Sequence, residues 1–238
     1  MVLMRLALLA ALAAVAIFIY SLVPEFLMRF LAWLLIHSMY SVKKSGLDHI
    51  PEEGPCIVVC NHVSYVDAIV LAACVRRPIR FVMDHRIFKI PVMGWFFKLA
   101  KAIPIAPKAE DETAYNAAFE AAHQVLREGD LLAIFPEGGI TKDGELQTFK
   151  GGITKILDRA QSDGLQADAM GVPTVPMALT HLWGSFFSRL GGDAMTKPFR
   201  RGLWSRVGLN VGEVVRGEDA LPHNLHAQVK RLLTKNPS

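Results

Sequence analysis

Apolar and polar positions divide the chain into two unequal parts. From Leu6 to Val23 no charged residue interrupts the apolar run. About 18 residues of helix extend about 27 Å, close to the hydrocarbon thickness of a bilayer. Pro24 and Glu25 then suit the first turn of a new helix, and a second apolar stretch runs from Phe26 to Tyr40. Beyond residue 45, short β-branched runs alternate with amphipathic stretches. The runs predict strands over 56–60, 80–83, 103–105, 131–135, 174–178 and 207–211. The amphipathic stretches predict helices over 65–75, 87–101, 113–127, 152–159 and 225–233. Such alternation is the mark of an α/β fold, a sheet flanked by helices.

The first part admits three readings. A cleaved signal peptide needs a small-x-small site after the apolar core, yet the core ends in Ser21-Leu22-Val23-Pro24. A buried pair of soluble helices is the second reading. The third is a membrane anchor, either one spanning helix or a two-helix hairpin in one leaflet, and the length of the run favours it. Only Arg5 precedes the run while Arg29, Lys43 and Lys44 follow it, so the positive-inside rule puts the rest of the chain in the cytoplasm. The expected division is a hydrophobic helical anchor over 1–41 and one folded domain over 42–238. Neither an internal repeat nor a low-complexity linker divides the second part further.

Composition sharpens this in three ways. The hydrophobic share is 52%, above the usual figure of about 45–50%, and the surplus lies before residue 41. The net charge of +4 comes without dense Lys/Arg runs, which argues against a nucleic-acid partner and suits anionic lipid headgroups or an acidic carrier protein. Cys56 and Cys60 sit on one apolar run; four residues of strand span about 13 Å, too far for a disulfide. With Cys74 the cysteine count is odd, and no C-x-x-C or Cys/His spacing predicts a metal site.

Two segments carry candidate chemistry. The first strand ends in Asn61-His62, and Asp67 follows near the start of the next helix. An imidazole is suited to take a hydroxyl proton near neutrality, and a carboxylate on its far nitrogen fixes the tautomer. Alone, this spacing reads equally as a helix cap beside a polar rim residue. The second segment, Leu131 through Gly139, again runs an apolar strand into a polar turn, Phe135-Pro136-Glu137-Gly138-Gly139. Strand ends of this kind are where open α/β sheets bind ligands, and glycines there let backbone N–H groups approach an anion.

Together, Asn-His-x4-Asp and Phe-Pro-Glu-Gly resemble the glycerolipid acyltransferase family, the lysophosphatidate and glycerol-phosphate acyltransferases. The resemblance continues through Phe149-Lys150-Gly151-Gly152 and Val175-Pro176-Met177, and covers about Gly46 to Thr180. It implies a mixed α/β sheet flanked by helices, with His62 as general base, Asp67 orienting it, and Glu137 with Gly138 and Gly139 at the acceptor. It also implies direct transfer from an acyl-CoA or acyl carrier protein thioester to a lysophospholipid hydroxyl, with neither a metal nor a cofactor.

Two departures bear on the acceptor. Ile140 stands where the family commonly has the arginine of Pro-Glu-Gly-Thr-Arg, and Ile105-Ala106-Pro107 occupies the place of its Ile-Asp-Arg, so both arginines that the family associates with the acceptor phosphate are lost. Lys108 and Lys142 are the nearby candidates to replace them, as point charges without the arginine fork. A lysophospholipid such as lysophosphatidylethanolamine is the alternative to 1-acylglycerol-3-phosphate. The segment from Arg86 to Lys101 mixes cations with aromatic residues, as an interfacial helix or a core helix with snorkelling lysines would. A hydrolase using Cys60 or Ser64, and an inactive lipid-binding accessory protein, are the competing functions.

Overall fold

Cys56-Ile57-Val58-Val59-Cys60 is buried at every position, so this strand must be covered on both faces, as in the interior of a parallel sheet. The structure, a computed structural model, describes residues 5, 9–12, 14–18, 24–165, 171–194 and 204–235. Its strands are β1 (Tyr40–Ser45), β2 (Cys56–Cys60), β3 (Ile79–Asp84), β4 (Ile103–Ile105), β5 (Leu131–Ile134), β6 (Thr174–Thr180) and β7 (Ser205–Val211). From residue 24 onward the helices are α1 (Pro24–Met39), α2 (Asp67–Cys74), α3 (Pro91–Leu99), α4 (Glu112–Arg127), α5 (Gly152–Ser162) and α6 (Pro222–Leu233).

The strands form one mixed sheet in the order β1-β7-β6-β2-β5-β3-β4. Neighbours run parallel except β6 and β7. One face, carrying Val58, Cys60, Phe81 and Met177, packs under α1, α2 and α3. The other, carrying Ile57, Val59, Leu132 and Ala178, packs under α4, α5 and α6. Because β2, β3 and β5 are parallel and adjacent, their carboxyl ends open on one edge, and the turns after β2 and β5 lie side by side there.

Strands β2 and β4 have the bounds expected, and the other expected strands and helices are found within a few residues. The helix expected over 87–101 is broken. Asp84 caps a 3-10 turn, His85–Lys89, and α3 begins only at Pro91, because proline lacks an N–H and holds Ile90 extended. Strand β1 carries Lys43 and Lys44 at the sheet edge, so no apolar alternation announces it.

The stretch from Phe26 to Tyr40 forms α1 and the start of β1. Met28, Ala32 and Ile36, at i, i+4 and i+8, are buried, and Ala32 and Ile36 join the core beside α2. Phe26, Phe30, Trp33 and Leu34 remain exposed. Among the described residues no helix is long and apolar enough to cross a membrane. Of the spanning helix expected over 6–23, residues 9–12 and 14–18 are described, as helix, and the others lie outside the described residues.

Candidate active site

Strand β2 ends where Asn61 turns out of the sheet. Its side chain replaces the lost ladder, with Oδ1 accepting from the Leu179 N–H at 2.7 Å and Nδ2 donating to the Leu179 carbonyl at 3.0 Å. That pins the end of β2 to β6 and throws His62 onto the open edge. The His62 ring stacks on Phe135 at 4.2 Å, and Phe135 in turn stacks on Phe81.

Asp67, the first residue of α2, is fully buried. Its Oδ2 lies 2.8 Å from His62 Nδ1 and also accepts from the N–H groups of Val63 at 2.7 Å and Ser64 at 2.9 Å. One carboxylate oxygen thus orients the imidazole and closes the loop that carries it. Burial pushes the Asp67 carboxyl up, and the hydrogen bond and charge of His62 pull it back. With the carboxylate on Nδ1, that nitrogen carries the hydrogen and Nε2 keeps a lone pair for proton abstraction. The His62 side chain is 21% exposed, enough to meet a hydroxyl.

Glu137 is buried, and backbone groups occupy both of its carboxylate oxygens. Oε1 accepts from the His62 N–H at 2.6 Å and Oε2 from the Gln147 N–H at 2.9 Å. The Thr141 N–H donates to the His62 carbonyl at 3.0 Å. Residue 62 is therefore held from both sides by the loop after β5. Burial raises the Glu137 carboxyl and the two N–H donors lower it. The geometry makes Glu137 a clamp between two loops.

The remaining candidates separate. Gly138 is exposed at φ 70°, and a Cβ there would collide with the Lys150 ammonium; only glycine combines that dihedral with that approach. Gly139 is exposed, and a Cβ on it would meet nothing. Lys142 is exposed and follows Thr141 on the loop beside His62. Lys108 follows β4, three strand positions from β2, which at about 4.8 Å per strand is about 14 Å across the sheet. It pairs with Glu112 at 3.0 Å, an exposed pair of little energetic weight. The cation brought to the turn is Lys150, which no spacing argument singled out. Its motif, Phe149-Lys150-Gly151-Gly152, was the available signal, with the Lys150 N–H donating to the Pro136 carbonyl at 2.8 Å.

The two nucleophiles of the hydrolase reading are poorly placed. Cys60 is wholly buried and its thiol is pushed well up, which keeps it protonated and inert. Ser64 is also fully buried, and its Oγ accepts from the Val66 N–H.

The model of the family described as Acyltransferase matches residues 41–180, which contain both halves of this site. The chain belongs to the acyltransferase family. A chloroplastic 1-acyl-sn-glycerol-3-phosphate acyltransferase of Brassica napus is 30% identical over 156 residues, 65% of this chain and 42% of that protein. One from Pseudomonas aeruginosa is 27% identical over 175 residues, 72% of this chain and 62% of its own. The chain thus spans less than two thirds of the length of these curated relatives. The 1-acyl-sn-glycerophosphate acyltransferase of Thermotoga maritima shares the fold, with a TM-score of 0.60 at 22% identity over 81% of this chain and 70% of that one.

In this acyltransferase-family chain a small apolar cavity of about 40 Å³ lies behind Phe81, between α1, α2 and α3. Met28, Ile69, Phe96 and Phe97 line it. It is on the sheet face that leads, through Phe81 and Phe135, to the His62 ring.

Proposed function

We propose that this protein is an O-acyltransferase that moves a fatty acyl chain from a thioester, acyl-CoA or acyl carrier protein, to the free hydroxyl of 1-acylglycerol-3-phosphate, giving phosphatidic acid. The observation that carries this reading is the His62–Asp67 pair at 2.8 Å through Nδ1, with the His62 side chain partly exposed, in a chain of this family. His62 Nε2 takes the hydroxyl proton as the oxygen attacks the thioester carbonyl. Asp67 stabilises the imidazolium so formed. When the tetrahedral intermediate collapses, the C–S bond breaks and the imidazolium returns its proton to the departing thiolate, so acid and base balance within one turnover. Names of the curated relatives support lysophosphatidate as acceptor. Ile140 and Pro107, at the places of the two arginines, favour the second reading, an acceptor such as lysophosphatidylethanolamine.

The acyltransferase acts at a membrane surface, its catalytic domain on the cytoplasmic side. Exposed Phe26, Phe30 and Trp33 on α1 and Trp95 on the adjoining α3 support this. Each large apolar side chain moved from water into lipid contributes about 1.5–3 kcal/mol. The test gives purified full-length protein, bound to anionic vesicles, a panel of lysophospholipids with labelled acyl-CoA and acyl carrier protein. Thioester-dependent diacyl product and flotation with the vesicles are expected. Free fatty acid without ester would support a hydrolase, and no turnover with any acceptor an accessory protein.

Lys150 is the cation best placed to meet the acceptor phosphate. Losing one charge-assisted contact at an exposed position costs about 1.4 kcal/mol, or about tenfold in affinity. Lys150→Ala is therefore expected to raise KM for lysophosphatidate about tenfold with kcat nearly unchanged. Lys108→Ala, at the far edge of the sheet, is expected to change neither by more than about twofold. Steady-state kinetics on the two variants checks both; equal KM values would remove Lys150 from the phosphate site.

A further inference from the structure

Past β6 the chain folds back over the loop between β2 and α2, the loop that carries His62 and leads to Asp67. Leu182, wholly buried, joins the core and anchors this segment. Two tight turns follow, the Ser185 N–H donating to the Leu182 carbonyl and the Ser188 N–H to the Ser185 carbonyl, both at 3.1 Å. Ser188 Oγ accepts from the Gly184 N–H at 3.0 Å and donates to the Ser185 carbonyl at 2.9 Å. The segment is braced by its own hydrogen bonds before it touches anything else.

It then meets the His62–Asp67 loop through both backbone and side chains. Ser64 and Ser188 form an antiparallel bridge, and the Tyr65 N–H donates to the Phe187 carbonyl at 3.1 Å. Arg189 Nη2 donates to the Tyr65 hydroxyl at 3.2 Å, and its guanidinium carbon lies 5.9 Å from the centre of the Tyr65 ring. Arg189 and Tyr65 are both half-buried, and among the described residues no carboxylate pairs with Arg189. A planar guanidinium held by a ring and by its hydroxyl is fixed in direction as well as in place. The same segment sets Trp183 against Gly144 in the loop after β5, where a Cβ would lie 2.6 Å from the indole Nε1. Thr141 of that loop donates its N–H to the His62 carbonyl, and its Oγ1 accepts from the Gly144 N–H at 3.1 Å. One segment thus touches both loops that hold residue 62.

Displacement at Ser64 or Tyr65 reaches the imidazole through Asp67. Oδ2 of Asp67 accepts from the N–H groups of Val63 and Ser64 and meets His62 Nδ1, and the Asp67 N–H donates to the Ser64 carbonyl at 3.3 Å. Backbone that shifts at 64–65 therefore draws the carboxylate away from the ring. We propose that Tyr65 and Arg189 form a latch that closes the segment after β6 on the His62–Asp67 loop, and that both are positioning residues for the His62–Asp67 pair. The proposal rests on the reading of His62 as general base. The charged groups that act on the ring are Asp67 from α2 and Glu137 from the turn after β5. With the latch open, Asp67 stabilises the imidazolium less, so the pair releases its proton at lower pH. Loss of the Arg189 charge acting through space would do the reverse, which gives the latch a sign of its own.

The experiment is a double-mutant cycle in the full chain, with Tyr65→Phe and Arg189→Met made singly and together. Each single variant is expected to lower kcat about fivefold, the scale of one lost hydrogen bond, with KM within about twofold. The double variant is expected to be no slower than either single one, because both remove the same contact. Arg189→Lys, which keeps a charged donor, is expected to recover most of the rate. Followed by ¹⁵N NMR of the histidine ring nitrogens, with His62→Ala identifying the signal, the titration midpoint of the pair is expected to fall by about half a pH unit in Tyr65→Phe. Losses that add in the double variant overturn the latch. So does an unmoved or raised midpoint in Tyr65→Phe, even if thermal stability falls. Absence of acyl transfer by the wild type would refute the function reading, and the titration of Tyr65→Phe would still decide whether Tyr65 positions the pair.

Discussion

Replacing His62 by alanine is expected to lower kcat/KM for acyl transfer by about 10³-fold, within the range that a positioned general base contributes. The ring has a carboxylate on Nδ1 and a partly exposed side chain. Asp67→Asn should lose a comparable amount, since an amide donating to Nδ1 would select the tautomer whose Nε2 already carries hydrogen. A rate that survives His62→Ala would mean that the hydroxyl is deprotonated elsewhere. In the wild type the rate should fall as pH is lowered, because proton uptake by the pair blocks Nε2. The burial that raises Asp67 strengthens its hold on that proton. Rate measurements across pH on the wild type and both variants check the sign.

Glu137→Gln is expected to be strongly destabilising. Each hydrogen bond to a buried charge contributes about 1.5–3 kcal/mol, and Glu137 makes two, to His62 and Gln147. The amide keeps one acceptor and sets an NH₂ group against the other backbone N–H. We expect a loss of about 2 kcal/mol in stability and a kcat reduced with the displacement of His62. The pH dependence has a definite sign. The folded-state pKa of Glu137 lies above its ordinary 4.5, so the folded protein binds this proton more tightly than the unfolded chain does. Wild-type stability therefore gains on the variant as pH falls from the folded pKa towards 4.5. The Tm gap between the two should widen on acidification from neutrality. A narrowing gap would show that the two N–H bonds outweigh the desolvation.

Arg80 and Asp130 pair at 3.0 Å where β3 begins, across from Leu132 on β5. Such pairs brace the end of the sheet opposite His62. The edge that carries His62 instead buries two carboxyls raised by burial, Asp67 and Glu137, and the Asp67 charge opposes ionisation of Glu137. That arrangement sacrifices stability for orientation, the usual exchange at a functional site.

What the sequence determined by itself was local. Continuous apolar runs announce strands covered on both faces, so β2 was legible to the residue. His62 and Asp67 were legible as a pair because five residues carry the chain from a strand end to a helix start, a geometry set by the backbone alone. The tertiary structure decided everything that depends on strand order. Glu137 reaches the His62 N–H across 75 residues because β5 lies beside β2, and Asn61 reaches Leu179 across 118 because β6 lies on the other side. Lys108 lies at the sheet edge and Lys150 at the turn for the same reason. No periodicity encodes such contacts, because they arise only when buried apolar faces on distant segments find one common packing.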